Sequence, residues 1–563
     1  MQTVRPIPSG RLRLLFGLFA VASLILAGRL SYWQTFGRAE LLARATDQVR
    51  SDLVVVAQRG VIRDRNGAIL ATTVELRSLY ALPARIPDKP RVAQQLGVLL
   101  GRDATPIRAA LESGVEWLYV QRWLPEETAN AIAALNVPGL GFLNEPKRLY
   151  PNDSIGAAVL GFVNDDGVGV TGVEGYYDEI LRGTPGRLVV ERDPSNRDLA
   201  VGLREAIAPR NGADLVLTLD LVAQTAAERE LSAAMKKEHA ASGSILVVDP
   251  SDGSIRALAS APTYDPAVVR LADPEALRDR AIAWPYEPGS TMKAMTIASA
   301  LNEHLVKPTD SYNDVGYTVV GGRKLSNALG KAYGPTTVQQ ILERSLNAGA
   351  AWVGQKLGSQ RIIDYFHAFG FGRPTGIDLA GEVSGIVRPL AEWYPVDVGT
   401  ASFGQGVSVS ALQLAMAYAA LANGGTLYRP YVVASRRDAD GEHRTAPLAV
   451  ARVVTADTAA TLRSMLLSTV DNGIAHNAAI AGFSVAGKTG TAQIASPDGS
   501  YVDDQYVSSF AGFFPADDPK YVVLVVLEKP ESRLLGTLTA TDAFKGVAQD
   551  ILRYARIQPD RRP

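Results

Sequence analysis

The sequence predicts an α+β protein with three parts: an N-terminal membrane anchor, a mixed domain that we call the pedestal, and a C-terminal domain in which an antiparallel sheet lies beside a helical subdomain. Three observations lead to this fold class. One long apolar stretch lies near the N-terminus, the chain changes character near residue 212, and beyond it strand patterns enclose a long helical section. The predicted ranges are a tail at 1–13, an anchor at 14–33, the pedestal at 34–212 and the C-terminal domain at 213–560.

The composition limits the range of functions. A chain of 563 residues is too long for one hydrophobic core, so several domains are expected. The net charge of −1 offers no basic field for nucleic acid. The sequence has no cysteine, which excludes disulfides and cysteine nucleophiles, and its five scattered histidines do not have the HExxH spacing of a zinc site. We therefore expect no nucleic-acid partner and no metal.

The N-terminal segment is typical of a membrane-spanning helix. Leu14 to Gly28 carries no charge, and the apolar character resumes after Arg29, so about 20 residues are available to span a bilayer. A cleaved signal peptide is the alternative, but no small-residue cleavage pattern follows the apolar stretch. The basic residues before this stretch place the tail in the cytoplasm and the rest of the chain outside. These residues are Arg5, Arg11 and Arg13.

Strand patterns lie at both ends of the C-terminal domain. Two helices are predicted beside them, at 222–237 and around 544–551. A long and mostly helical section separates the two groups of strands, so a cleft is expected between sheet and helices. The predicted strands are 215–219, 244–249, 254–260, 483–494, 508–514 and 521–528.

Ser290 and Lys293 are the first candidates for chemistry. Pro288 and Gly289 indicate a turn into a buried helix, which places Ser290 in the first helical turn and Lys293 on the same face. A lysine in apolar surroundings can be neutral enough to accept the serine proton. The alternative is a capping serine followed by a solvated lysine, because the S-x-x-K spacing often occurs by chance.

Ser345 and Asn347 form a second candidate pair. They lie between two helical patterns, 338–344 and 350–357, so they are expected in a connection that turns both side chains into the cleft. There the hydroxyl of Ser345 could relay a proton, and the amide of Asn347 could orient Lys293 or a substrate amide. The alternative is a helix end followed by the N-cap of the next helix.

The third candidate segment has two interpretations. Residues 482–489 match G-x-x-x-x-G-K-[ST], the phosphate-binding P-loop, which requires a preceding strand and a following helix. The residues that follow are instead typical of a strand. The favoured interpretation is a strand along the cleft in which Lys488 and Thr489 bind a carboxylate, Gly490 lets a substrate backbone approach, and the N–H group of Thr491 contributes to an oxyanion hole.

Together, Ser290-x-x-Lys293, Ser345-x-Asn347 and Lys488-Thr489-Gly490 resemble the three motifs of penicillin-binding proteins and serine β-lactamases. Further segments resemble class B high-molecular-weight penicillin-binding proteins, so the likeness covers nearly the whole chain. These segments are 59–67, 148–151, 172–177 and 262–266.

The resemblance implies a single-pass membrane protein with an elongated N-terminal pedestal and a C-terminal transpeptidase domain of the DD-peptidase fold. In such a protein Ser290 attacks the penultimate D-alanine of a peptidoglycan stem peptide, releases the terminal D-alanine, and passes the acyl group to an amine of a neighbouring strand. The implied roles are general base for Lys293, proton relay for Ser345 and orientation for Asn347. Lys488, Thr489 and Thr491 would hold the terminal carboxylate. No cofactor is implied, and β-lactams are the expected inhibitors.

The sequence also favours the septal subtype of this family over the elongation subtype. Residues 161–167 are closer to septal than to elongation transpeptidases, although Leu346 stands where division-type members often have serine, and the segment after Pro151 lacks an expected glycine. The implied partners are a polytopic membrane glycosyltransferase and other division proteins. The alternatives are an elongation-type enzyme, a β-lactamase or D,D-carboxypeptidase, and a β-lactam receptor. The anchor and the pedestal argue against a free hydrolase.

Overall fold

The computed structural model describes residues 9–41, 50–191, 204–496, 501–531 and 533–561. It divides into two compact units. The first comprises residues 1–58 and 183–211, and the second comprises residues 59–182 and 212–563.

The helices and strands are numbered here in chain order. The helices are α1 (Ser9–Thr35), α2 (Lys89–Leu100), α3 (Ala104–Glu112), α4 (Glu126–Ala133), α5 (Ala157–Leu160), α6 (Gly172–Tyr176), α7 (Asp178–Arg182), α8 (Leu221–Glu238), α9 (Arg280–Ala283), α10 (Lys293–Asn302), α11 (Val338–Glu343), α12 (Asn347–Leu357), α13 (Ser359–Ala368), α14 (Asp397–Ala401), α15 (Ala411–Ala422), α16 (Ala456–Asp471) and α17 (Arg533–Tyr554). The strands are β1 (Arg50–Val55), β2 (Ile62–Arg63), β3 (Ile69–Ala81), β4 (Leu118–Leu124), β5 (Leu140–Leu149), β6 (Gly186–Glu191), β7 (Arg204–Ile207), β8 (Asp214–Leu217), β9 (Ser242–Val248), β10 (Ile255–Ala261), β11 (Ser311–Asp314), β12 (Tyr317–Val320), β13 (Arg323–Ser326), β14 (Gly334–Thr337), β15 (Thr426–Tyr428), β16 (Val433–Asp438), β17 (Gly441–Arg444), β18 (Ala449–Arg452), β19 (Ala486–Ala495), β20 (Tyr501–Phe514) and β21 (Tyr521–Glu528).

The first unit contains α1 and a three-stranded antiparallel sheet of order β1-β6-β7. In the part of the chain that the structure describes, α1 is the one helix long and apolar enough to cross a membrane. It contains the whole predicted anchor, residues 14–33, and extends it at both ends. Residues 1–8 of the predicted tail lie outside the described residues.

A five-stranded antiparallel sheet of order β10-β9-β21-β20-β19 forms the centre of the second unit. Strands from before and after the helical section therefore pair with one another, as the sequence predicts. Alternate residues face opposite sides of a strand. Ile245 and Val525 face a cluster formed with α8 and α17, whereas Leu246 and Leu524 belong to a larger cluster that includes α15. Both faces of this sheet are buried, and the α+β fold class is confirmed.

A second sheet in this unit has the order β17-β16-β8-β2-β3-β4, with β5 paired to β3. Strand β8 lies between β2, to which it is parallel, and β16, to which it is antiparallel. The sheet thus joins strands from both sides of residue 212, where the sequence pattern changes. The predicted domain boundaries themselves stay a prediction.

A buried ion network lies beside this sheet. Glu174 is fully buried, and its carboxylate accepts hydrogen bonds from Arg148 at 2.6 Å and from Arg59 at 2.7 Å. Arg59 also pairs with Asp178 at 2.7 Å. Two guanidinium groups compensate the charge of one buried carboxylate, so the three segments that carry these residues are held together electrostatically.

Candidate active site

A cavity of about 660 Å³ lies between the edge of the five-stranded sheet and the helical section. Ser290, Ser345, Asn347, Thr489 and Thr491 all line it. The structure therefore brings together three segments that are far apart in the sequence, at the position where the sequence predicts a cleft.

The position of Ser290 is set by a tight turn. Residues Gly289–Met292 form one turn of 3-10 helix that continues directly into α10. Gly289 has a φ of 57°, and a Cβ atom there would lie 2.8 Å from the carbonyl oxygen of Thr491. Only glycine adopts this conformation without strain and also lets β19 approach so closely. The hydroxyl of Tyr418 donates to the Thr291 carbonyl at 2.9 Å and holds the turn from the buried side.

The Lys293 amine is directed toward the second motif. It donates hydrogen bonds to the Ser345 carbonyl oxygen and to Asn347 Oδ1, both at 2.7 Å, and lies 3.2 Å from Ser345 Oγ. Among the described residues, its hydrogen bonds are these three, and none reaches Ser290. A neutral amine has two N–H groups, and the two carbonyl-type acceptors use both of them. The nitrogen lone pair is then the site on this amine that can accept a proton, and the hydroxyl of Ser345 lies within its reach.

The backbone at Ser345 adopts a rare conformation. Its φ of 55° lies in the left-handed region, which costs energy for a residue other than glycine. Ser345 connects α11 to α12, and Asn347 is the first residue of α12. This connection is the one predicted from the two helical patterns. The strained backbone directs the carbonyl of Ser345 toward the amine of Lys293.

Lys488 approaches Ser345 from the sheet. Its amine donates to Ser345 Oγ at 2.9 Å, to the Thr489 carbonyl at 3.1 Å and to Thr489 Oγ1 at 3.3 Å. Both lysine side chains are fully buried. The hydroxyl of Ser345 therefore lies between two buried amines.

Burial changes the protonation of both lysines. It lowers the pKa of Lys488 to about 7. The pKa of Lys293 is lowered well below its usual value, first by burial and then by the positive charge of Lys488. A buried cation loses hydration, and the neutral form becomes easier to populate. At neutral pH one of the two lysine amines can therefore be uncharged and act as a base. A lysine exposed to water is almost fully protonated at this pH.

Strand β19 presents the third motif to the cavity. Thr489, Thr491 and Gln493 alternate along the strand and all line the cavity. The strand begins at Ala486 and continues through the Lys488-Thr489 pair to Ala495. No helix begins there, so the P-loop interpretation is excluded.

Gly490 has a packing role within the chain. A Cβ atom at this position would overlap the hydroxyl of Ser509 and lie 2.9 Å from a methyl group of Thr291. The residue lets the turn that carries Ser290 pack directly on β19. The approach of a substrate backbone to Gly490, expected from the sequence, stays a prediction.

Several residues that line the cavity belong to none of the three sequence motifs. Gln493 could have been predicted as a cavity residue from the sequence, because it lies two residues after Thr491 on the same face of a strand. The others come from distant segments that only the fold brings together. The residues missed from the sequence are Ala328, Arg344, Phe403, Gln405, Ile474, Gln493, Tyr506, Thr537 and Leu538.

Comparisons with known proteins agree with this arrangement. Residues 243–552 match the family described as the penicillin binding protein transpeptidase domain, and residues 54–217 match the penicillin-binding protein dimerisation domain. Stage V sporulation protein D of Bacillus subtilis is 34% identical over 98% of this chain and 86% of that protein. The peptidoglycan D,D-transpeptidase FtsI of Escherichia coli is 30% identical over 98% of this chain and 93% of that protein.

A solved structure has the same fold. Penicillin binding protein 3 from Mycobacterium tuberculosis, in complex with aztreonam, superposes with a TM-score of 0.71 at 27% sequence identity, covering 90% of this chain and 98% of that one. A family match over more than half of the chain and relatives that align along almost its whole length lead to one conclusion. The chain belongs to the class B penicillin-binding proteins, whose C-terminal domain is a transpeptidase.

Proposed function

We propose that this protein is a peptidoglycan D,D-transpeptidase that cross-links stem peptides through an acyl-enzyme on Ser290. One observation carries the assignment of the site. The amines of Lys293 and Lys488 meet at the hydroxyl of Ser345, beside the cavity into which Ser290 opens. Relatives named peptidoglycan D,D-transpeptidase support the substrate class.

The first half of the reaction forms the acyl-enzyme. The Oγ atom of Ser290 attacks the carbonyl carbon of the penultimate D-alanine, and the Ser290 proton passes to the neutral amine of Lys293. The backbone N–H groups of Ser290 and Thr491 stabilise the oxyanion that forms. The C–N bond to the terminal D-alanine then breaks. The departing amine takes a proton from Ser345, which is reprotonated by a lysine.

The second half transfers the acyl group. An amine of a neighbouring stem peptide attacks the ester carbonyl, gives its proton back through the same groups, and releases Ser290. Asn347 orients the Lys293 amine, in agreement with their 2.7 Å hydrogen bond. No external oxidant, reductant or metal takes part in either half.

The carboxylate of the terminal D-alanine is assigned to β19. The hydroxyls of Thr489 and Thr491 line the cavity, and the amine of Lys488 lies directly behind Thr489. This arrangement offers two neutral donors and one nearby positive charge to an anion. β-Lactams carry a carboxylate or sulfonate next to a reactive amide, so we expect them to acylate Ser290 and inhibit the enzyme.

The domain ranges and the membrane topology belong to the same proposal. Residues 1–13 form a cytoplasmic tail, 14–33 a single span, 34–212 the pedestal and 213–560 the transpeptidase domain, which lies outside the cytoplasmic membrane. The length of α1 and the two family matches at 54–217 and 243–552 support this organisation. The basic residues Arg11 and Arg13 near the start of α1 support the orientation.

We assign the enzyme to septal wall synthesis. The similarity to FtsI of Escherichia coli and to penicillin binding protein 3 structures supports this subtype. The partners that the family resemblance implies are a polytopic membrane glycosyltransferase, which would supply the glycan strands, and other division proteins.

Labelling of the full-length protein in detergent with a fluorescent penicillin tests the assignment. The wild type and Ser251→Ala, a control in an exposed turn, should both bind the label covalently and keep it for many minutes. Ser290→Ala should bind none. Labelling of Ser290→Ala, or rapid loss of the label from the wild type by hydrolysis, would contradict the assignment.

A further inference from the structure

Two threonine hydroxyls from different elements meet in the cavity. Thr491 Oγ1 on β19 and Thr537 Oγ1 on α17 are 2.8 Å apart, and either hydroxyl can be the donor. Both residues line the cavity that Ser290 opens into. Thr537 belongs to none of the three motifs, so its position here follows from the fold alone.

The position of Thr537 is fixed by the packing of α17. Further along this helix, Phe544 packs edge to face on Phe510 and Phe514 of β20. The carbonyl oxygen of Thr491 lies against Gly289, in the turn that carries Ser290. The hydrogen bond between the two threonines therefore joins a firmly packed helix to the strand that borders the nucleophile.

The direction of this hydrogen bond depends on what Thr491 binds. A hydroxyl group has one proton to donate, and a carboxylate can only accept. When Thr491 donates its proton to the substrate carboxylate, as the proposed function requires, its oxygen can only accept a hydrogen bond from Thr537. Without that donor, the proton of Thr491 is free to rotate away from the anion.

We infer that Thr537 is a positioning residue, which donates to Thr491 and thereby directs the Thr491 hydroxyl at the carboxylate of the substrate or of a β-lactam. This inference rests on the proposed function of the site. In this role Thr537 acts through Thr491, on ligands that carry a carboxylate. Its loss should therefore weaken recognition of a charged ligand without changing the reaction of an uncharged one.

The test compares two ligands and four variants of the full-length protein in detergent. The ligands are benzylpenicillin and its methyl ester, which differ only in the carboxylate. The variants are Thr537→Val, Thr537→Ser, Thr491→Val and the double variant Thr491→Val/Thr537→Val. Thr541→Val is the matched control, because Thr541 lies one turn further along α17, is buried, and donates to backbone carbonyls of its own helix, those of Leu538 and Thr537. Intact-mass spectrometry measures the second-order rate constant of acylation for each combination.

Thr537→Val should slow acylation by benzylpenicillin about tenfold, because the Thr491 hydroxyl, no longer held by Thr537, then loses much of its hydrogen bond to the charged carboxylate. Acylation by the methyl ester should change little, and Thr537→Ser and Thr541→Val should resemble the wild type. The double variant should be no slower than Thr491→Val alone. The inference is overturned by a wild-type rate for Thr537→Val with benzylpenicillin, by equal slowing of both ligands, or by losses that multiply in the double variant. Loss of labelling in Ser290→Ala alongside any of these results would leave the proposed function standing and reject only the role of Thr537.

Discussion

The amine of Lys488 donates a hydrogen bond to the hydroxyl oxygen of Ser345 at a distance of 2.9 Å. On the other side of the same oxygen, the amine of Lys293 lies at 3.2 Å. One hydroxyl thus connects two buried lysines, and burial lowers the pKa of both. A proton can therefore pass through the Ser345 hydroxyl between the amine of Lys293, which would activate Ser290, and the amine of Lys488, which lies behind the carboxylate site.

Ser345→Ala removes the hydroxyl between the two lysine amines. We expect acylation by benzylpenicillin to slow by about a hundredfold or more, because proton transfer by a positioned group contributes on that scale. The rate constant follows from time-resolved labelling with a fluorescent penicillin. Thermal unfolding of the same variant controls for folding, and an unchanged rate would reject the relay.

Lys488→Met should change how stability depends on pH. An unfolded lysine has a pKa of about 10.4, whereas burial lowers the pKa of Lys488 to about 7 in the folded protein. Between these two values the unfolded chain binds more protons, so the wild type becomes more stable as the pH rises from 7 to 10. The variant lacks this contribution.

The melting temperature of Lys488→Met relative to the wild type should therefore be highest at pH 7 or below, and should fall as the pH approaches 10. Lys520→Met removes a lysine that is 52% exposed and serves as the control. The measurement is the melting temperature of each variant and of the wild type at several pH values between 7 and 10. A difference that stays constant with pH would show that Lys488 is not held at a lowered pKa.

Gly289→Ala should distort the turn that carries Ser290. The new Cβ atom would lie 2.8 Å from the carbonyl of Thr491, in a backbone conformation with a φ of 57°. Gly322→Ala introduces the same kind of backbone strain at a φ of 79°, but with open space around the new atom. Both variants should lose about 1 to 3 kcal/mol of stability. Only Gly289→Ala should also slow acylation, and equal rates for the two variants would contradict this account of the turn.

Glu174→Gln should destabilise the second unit strongly. The substitution removes the carboxylate that compensates Arg59 and Arg148, whose side chains are 8% and 4% exposed. Breaking a buried ion pair from one side costs about 3 to 5 kcal/mol. Glu112→Gln breaks an exposed pair with Arg108 and should cost about 1 kcal/mol or less. Urea unfolding measures both values, and similar costs would contradict a buried network.

The sequence was sufficient to predict the three motifs, strand β8 and the strands of the five-stranded sheet, because these depend on local pattern. The strand periodicity in 483–494 distinguished β19 from a phosphate-binding loop although the letters matched one. The left-handed backbone of Ser345 carries no such local signal. It lies in the connection between α11 and α12, where the carbonyl oxygen of Ser345 accepts a hydrogen bond from Lys293.

The contact between Asn347 and Lys293 was predicted from the motifs, but other contacts between distant segments were beyond prediction for the same reason. The hydrogen bond from Lys293 to the carbonyl oxygen of Ser345 is one that no motif indicates. Thr537 has no motif, and its contact with Thr491 exists only because α17 packs on β20. The chemistry of single residues can be inferred from local sequence, whereas the choice of hydrogen-bond partner depends on the assembled fold.

Peptide mapping of the acyl-enzyme shows directly whether Ser290 carries the acyl group. Full-length protein in detergent is mixed with a stem-peptide donor that ends in D-Ala-D-Ala, quenched with acid, digested and analysed by mass spectrometry. We expect an acyl group on the peptide that contains Ser290, with the mass of the donor less one D-alanine. This adduct should disappear when an acceptor amine is added. An acyl group on another residue, or release of D-alanine without any acyl group on Ser290, would contradict it.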